Sequence, residues 1–124
     1  MIWRSDLRLD KWYTLDMTLE TFQQFIDEQD ALFRNVKDAT QTDRERIFSR
    51  VIKLGEEYGE LCDEVLASAG DQRKDKMNEK HDLEGEFADV VIVAFLLAKA
   101  MDVDMNVALA NKIQKIREKH NKQL

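Results

Sequence analysis

The chain has 124 residues and no proline. Proline is the residue that most reliably interrupts a helix, and the good helix formers Glu, Lys, Leu and Ala fill the sequence, so long unbroken helices are expected. The fold class read from this is all-α, and apolar periodicity divides the chain into four helices. The first takes Thr18 as N-cap and runs to about Val36, with Leu19, Phe22, Ile26 and Phe33 at helical spacings. The second opens with Thr42-Asp-Arg-Glu45, a capping box, carries Ile47, Val51, Leu54, Tyr58, Leu61 and Val65 on one stripe, and stops at Gly70. The third spans Asp82 to about Met101. Its apolar stripe, Phe87, Val90, Val91, Ala94, Phe95, Leu97 and Ala98, is wide enough for a central position. Asp104 caps the fourth, which runs through about His120 with Val107, Ala108, Ala110, Ile113 and Ile116 expected to face inward. Residues 71–80 are polar, without apolar period, and read as a solvated connection.

A chain of this length is read as one domain, residues 1–124, able to bury about two-thirds of its unfolded surface without disulfides or structural metal. Residues 18–120 form the helical core, a four-helix bundle-like unit. Residues 1–17 are an N-terminal aromatic extension whose Trp3, Trp12 and Tyr13 suit a subunit interface or stacking on a nucleobase, the interface being preferred. A thin unit with so wide an apolar third helix has more apolar surface than it can bury alone, so a homodimer or homotetramer is expected. Acidic side chains outnumber basic ones 25 to 19, and a net charge of −6 opposes a nucleic-acid partner. The longest apolar run, 88–100, is broken by Asp89 and Lys99 and falls short of the roughly 18 residues that span a bilayer, so no membrane partner is expected. The first ten residues lack the apolar stretch of a signal peptide, and a lone Cys62 excludes both a disulfide framework and a Cys-x-x-Cys zinc site. Together these point to the cytoplasm.

Two carboxylate pairs carry the chemistry. In the second helix Glu57 and Glu60 are three apart and share a face at the border of the apolar stripe, while Glu56 points elsewhere. In the third, Glu86 and Asp89 repeat the arrangement. Antiparallel packing of the two helices would bring the four carboxylates to one cleft, where their repulsion and desolvation call for a cation. All-oxygen donors select a hard ion, Mg²⁺ or Mn²⁺, with positions left for water and phosphate. Di-iron bundle chemistry is disfavoured, since neither His81 nor His120 follows a glutamate by three. Lys53, one turn before Glu57, is placed either to contact a phosphate or to pair with Glu56 or Glu57. Gly55 and Gly59 each cost the helix about 1 kcal/mol relative to Ala, which points to close helix packing or to room for a substrate.

Glu56-Glu57-Tyr58-Gly59-Glu60 followed by Glu86-Phe87-Ala88-Asp89 resembles the paired E-E-x-x-E and E-x-x-D signature of the MazG-like, all-α nucleoside triphosphate pyrophosphohydrolases. The flanks Lys53-Leu54-Gly55, Leu61 and Asp89-Val90-Val91 agree, and the resemblance extends over residues 18–120. It implies Mg²⁺-dependent hydrolysis of a nucleoside triphosphate between the α and β phosphates, giving a monophosphate and pyrophosphate. It implies that Glu57, Glu60, Glu86 and Asp89 are metal ligands and that Glu56 holds a further metal or orients the attacking water. On the last helix it places Lys112, Lys115 and Arg117 toward the phosphates, although Ile116 stands where relatives often have Asn before the terminal Arg. Two other readings remain open: a non-enzymatic helical interaction protein, and a sister activity on dUTP, dCTP or phosphoribosyl-ATP.

Overall fold

The computed structural model describes residues 16–37 and 39–123. Trp3, Trp12 and Tyr13 lie outside the described residues. All regular structure among those described is helical: α1 (Leu19–Leu32), one π-helical turn (Phe33–Lys37), α2 (Asp43–Ser68), α3 (Lys74–Met77), α4 (Leu83–Ala100) and α5 (Met105–Gln123). The chain is therefore all-α, as its lack of proline predicts.

Local chemistry sets most helix ends. Thr18 and Thr21 cap α1 reciprocally: the Thr21 N–H donates to Thr18 Oγ1 at 3.1 Å, and the Thr18 N–H donates to Thr21 Oγ1 at 2.9 Å. Thr42 and Glu45 do the same for α2, the Glu45 N–H meeting Thr42 Oγ1 at 3.1 Å. At the far end of α2, Gly70 has φ +80°, where only glycine is unstrained, and the Asp71 N–H closes the turn onto the Leu66 carbonyl at 2.9 Å. Asp82 caps α4 by accepting from the Gly85 N–H at 3.0 Å. Asp104 caps α5 by accepting from Asn106 and Val107 at 3.0 and 3.2 Å. Two details depart from expectation. The end of the first helix widens into a π-helical turn, and the polar connection contains the short helix α3.

The central helix is α4. It runs antiparallel to α2, since Arg50 donates to the Leu96 carbonyl at 2.7 Å while Glu57 and Glu60 lie opposite Glu86. It runs parallel to α1, with Phe22 edge-on to Phe95 at 4.7 Å and Asp27 bound to Lys99 at 2.9 Å. Among described apolar side chains, Ile26, Val93 and Leu96 are buried. The buried residues of α2 are charged: Arg46, Arg50 and Glu57. Its expected apolar stripe is split. Ile47, Leu54 and Leu61 are partly covered, whereas Val51, Tyr58 and Val65 are exposed, because the face turned to α4 is rotated toward Arg50 and Glu57. Arg50 is tolerated there through the Leu96 carbonyl and Asp30, whose Oδ1 lies 2.8 Å away.

The last helix corrects the inward-facing assignment. Val107, Ile113 and Ile116 are 52%, 47% and 45% exposed, and residues 109–122 are exposed throughout. Among the described residues α5 has no partner along most of its length, so these helices by themselves do not close a four-helix unit. On α4, Phe87 and Val91 are also exposed and line, with Phe22 and Phe25 of α1, an apolar groove of about 870 Å³.

Candidate metal centre

The pitch of α2 puts Glu57 and Glu60 on one face, and the antiparallel approach of α4 brings Glu86 against them. Each offers a carboxylate oxygen, and the three lie within 4.8 Å of one another. Glu57 is only 6% exposed. Glu57 Oε2 and Glu86 Oε2 are both buried without a hydrogen-bond partner. An unpartnered buried carboxylate oxygen is costly, and two facing each other in an anionic cluster are costlier still unless a cation joins them. The charge of Glu57, followed by desolvation, raises the Glu60 pKa. Desolvation raises that of Glu86, helped by the charges of Asp89 and Glu57. A donor set of carboxylate oxygens alone suits a hard divalent ion.

Asp89 is exposed and lies outside this group of three, acting on it through its charge on Glu86. Glu56 also lies outside. Its Oε1 is 3.0 Å from Lys53 Nζ, which bridges to Glu57 Oε1 at 3.1 Å. Of the two roles open to Lys53, the chain displays the ion pair, and the hydrogen bond it donates to Glu56 in particular raises the lysine pKa. Close packing among the described residues does not account for Gly55 and Gly59, because a Cβ at either would meet none of them within 4 Å.

Two carboxylates not singled out by motif, Asp63 and Glu64, extend the same region of α2 and tie down residues 71–82. Asp63 accepts from Gln72 Nε2 at 3.2 Å and from Lys76 Nζ at 3.1 Å. Glu64 places both oxygens 3.0 Å from His81 Nδ1. The signal for Glu64 was available, since it follows Glu57 by seven and Glu60 by four and so continues their face. His81, expected as a plain surface residue, is exposed but anchored. The expected phosphate contacts behave otherwise: Lys112, Lys115 and Arg117 are exposed on α5 and make no ion pair or hydrogen bond among the described residues.

No curated protein and no solved structure matches the chain significantly. A protein-family model does match: that of the MazG nucleotide pyrophosphohydrolase domain, over residues 47–124, from the first turns of α2 to the end of α5. That span includes both carboxylate motifs and the helices that bring them together. With more than half of its length covered by this match and the three glutamates converging where its two motifs meet, the chain belongs to the MazG nucleotide pyrophosphohydrolase family.

Proposed function

We propose that the chain is a Mg²⁺-dependent hydrolase that cleaves a nucleoside triphosphate between its α and β phosphates, releasing a nucleoside monophosphate and pyrophosphate. The observation that carries this reading is the pair of orphaned oxygens, Glu57 Oε2 and Glu86 Oε2, beside Glu60. Glu57, Glu60 and Glu86 would hold Mg²⁺ or Mn²⁺, with Asp89 joining from the adjoining turn of α4. The ion, when bound, supplies charge neutralisation of the phosphates and acidifies water toward a usable nucleophile. Glu56 is the candidate for orienting that water, a role for which it must leave Lys53. Its exposure leaves it free to swing. Burial of Glu57 against α4 keeps its carboxylate aimed while the solvent-facing side of Glu60 admits the substrate.

The working unit is proposed to be a homodimer or homotetramer. The support is α5, whose exposed Leu109, Ile113 and Ile116 recur at i, i+4 and i+7 and want a partner. Lys112, Lys115 and Arg117 flank this seam and would reach a phosphate from there. The experiment is incubation with Mg²⁺ and a panel of canonical, deoxy and modified triphosphates, with products resolved. Monophosphate plus pyrophosphate is expected. Diphosphate plus phosphate contradicts the cleavage site, and no turnover together with no Mg²⁺-dependent rise in melting temperature returns the chain to a non-enzymatic interaction role.

A further inference from the structure

The connection between α2 and α4 does more than span a gap. With α2 and the start of α4 it lines a cavity of about 230 Å³, whose walls carry Glu60 and Glu86 of the carboxylate cluster, the further acids Asp63, Glu64 and Glu79, and the basic side chains Lys76, Lys80 and His81. Two side chains of α2, Asp63 and Glu64, anchor this wall. Asp63 spends one oxygen on Gln72 and the other on Lys76, at 3.2 and 3.1 Å. His81 turns Nδ1 to Glu64 at 3.0 Å and Nε2 to the Met77 carbonyl at 3.2 Å. Two acceptors on two ring nitrogens are satisfied together only by the doubly protonated imidazolium, so the clamp is a charged one. Lys76 and His81 are thus committed to holding the wall in place. Lys80 is not. It forms no ion pair or hydrogen bond among the described residues, yet it lines the cavity that Glu60 and Glu86 share.

A triphosphate entering this cleft would bring several negative charges to a cluster whose three carboxylates would largely neutralise any ion they held, so further cations are needed. Within one chain the other candidates are unsuited. Lys53 is held by Glu56 and Glu57, and Lys112, Lys115 and Arg117 stand in solvent on α5. We infer that Lys80 contacts the phosphates beyond the scissile bond, the part that departs as pyrophosphate, and that Asp63, Glu64, Lys76 and His81 are positioning residues that hold Lys80 at the cleft. This rests on the hydrolase reading above and adds to it an anion-binding wall contributed by the connection.

The test titrates the full-length protein with inorganic pyrophosphate in Mg²⁺ by calorimetry, and measures kcat and KM on a triphosphate. Mn²⁺ binding, followed by electron paramagnetic resonance, reports separately on the carboxylate cluster. Lys80→Ala is expected to weaken pyrophosphate about tenfold and to raise KM by a similar factor, with kcat and Mn²⁺ affinity little changed. Lys80→Arg should restore most of the affinity. Glu64→Gln should shift KM in the same direction, which a purely structural role would not do without loss of kcat. Unchanged pyrophosphate affinity in Lys80→Ala overturns the inference while leaving the hydrolase intact. A wild-type protein that neither binds nor releases pyrophosphate overturns both.

Discussion

Asp30 and Glu57 are both buried carboxylates, and their surroundings treat them in opposite ways. Burial works to raise the Asp30 pKa, but hydrogen bonds from Arg50 and Arg34 outweigh it and hold the group below its ordinary value. Glu57 has Lys53 on one oxygen and nothing on the other. Asp30 is therefore a structural ion, whereas Glu57 Oε2 has no partner among the described residues. Removing one member of a buried pair strands the other, so Asp30→Asn or Arg50→Met should cost about 3–5 kcal/mol in urea unfolding, with the double variant Asp30→Leu, Arg50→Met recovering much of it. The pH dependence follows in sign. A carboxylate with a depressed folded pKa contributes stability above its ordinary value and loses it as pH falls through the depressed one, so Asp30→Asn should flatten the acid limb of the stability curve. At the cluster the logic reverses. Glu86→Gln removes one of three repelling anions, so melting of the metal-free protein should not fall, while Mg²⁺-dependent turnover should drop by about 100-fold or more. Loss of metal-free stability equal to that of Arg50→Met would assign Glu86 a structural role instead.

Along the elements, what was legible in the sequence is what a helix decides locally. Thr18, Thr42, Asp82 and Asp104 cap their helices through side chains three residues or fewer from the backbone groups they satisfy, so the starts could be read directly. The shared face of Glu57 and Glu60 was legible for the same reason, because a spacing of three on a rigid helix fixes it before any tertiary contact forms, whereas Asp89 stands outside the group that Glu86 joins. Which face of α2 is buried was not. Apolar periodicity centres on Leu54, but pairing of Arg50 with Asp30 and Leu96 turns the helix so that Val51 and Tyr58 remain outside. That preference depends on groups 20 and 46 residues away in sequence. The connection was likewise read as solvated, since its anchors lie on another helix. Its clamp carries a pH dependence. Glu64 holds the His81 pKa above its ordinary value, so the contribution of the clamp is complete below that value and is lost as pH rises through the raised one. Hydrogen exchange over residues 71–82 should therefore accelerate on going from pH 6 to about 8.5, beyond the intrinsic rate, and this excess should vanish in His81→Gln. An excess that persists in the variant would place the pH response elsewhere.

Among the described residues the fold is unfinished in one respect, the isolation of α5. A helix of 19 residues with little packing is marginal in water, and its exposed Leu109, Ile113 and Ile116 form a seam that no described residue covers. Lys112, Lys115, Lys119 and Lys122 run along one flank of that seam and Arg117 along the other, while the carboxylates concentrate on α2 and α4. Surfaces of opposite charge that do not meet among the described residues can meet between two copies, and the proposed oligomer would set the cations of one copy over the cluster of another. Sedimentation should then give a multiple of 14.6 kDa, and Ile113→Glu with Ile116→Glu should yield a monomer of lower helicity. Complementation tests the arrangement itself. Glu57→Gln spoils the cluster and keeps α5; Lys112→Ala with Lys115→Ala does the reverse. If α5 serves its own chain, every chain in an equal mixture is defective and no activity returns. If it serves its partner, half of randomly exchanged pairs are mixed and each has one whole site of two, so about a quarter of wild-type activity should return after subunit exchange. Recovery near zero with exchange confirmed by mass would return the cations to their own chain.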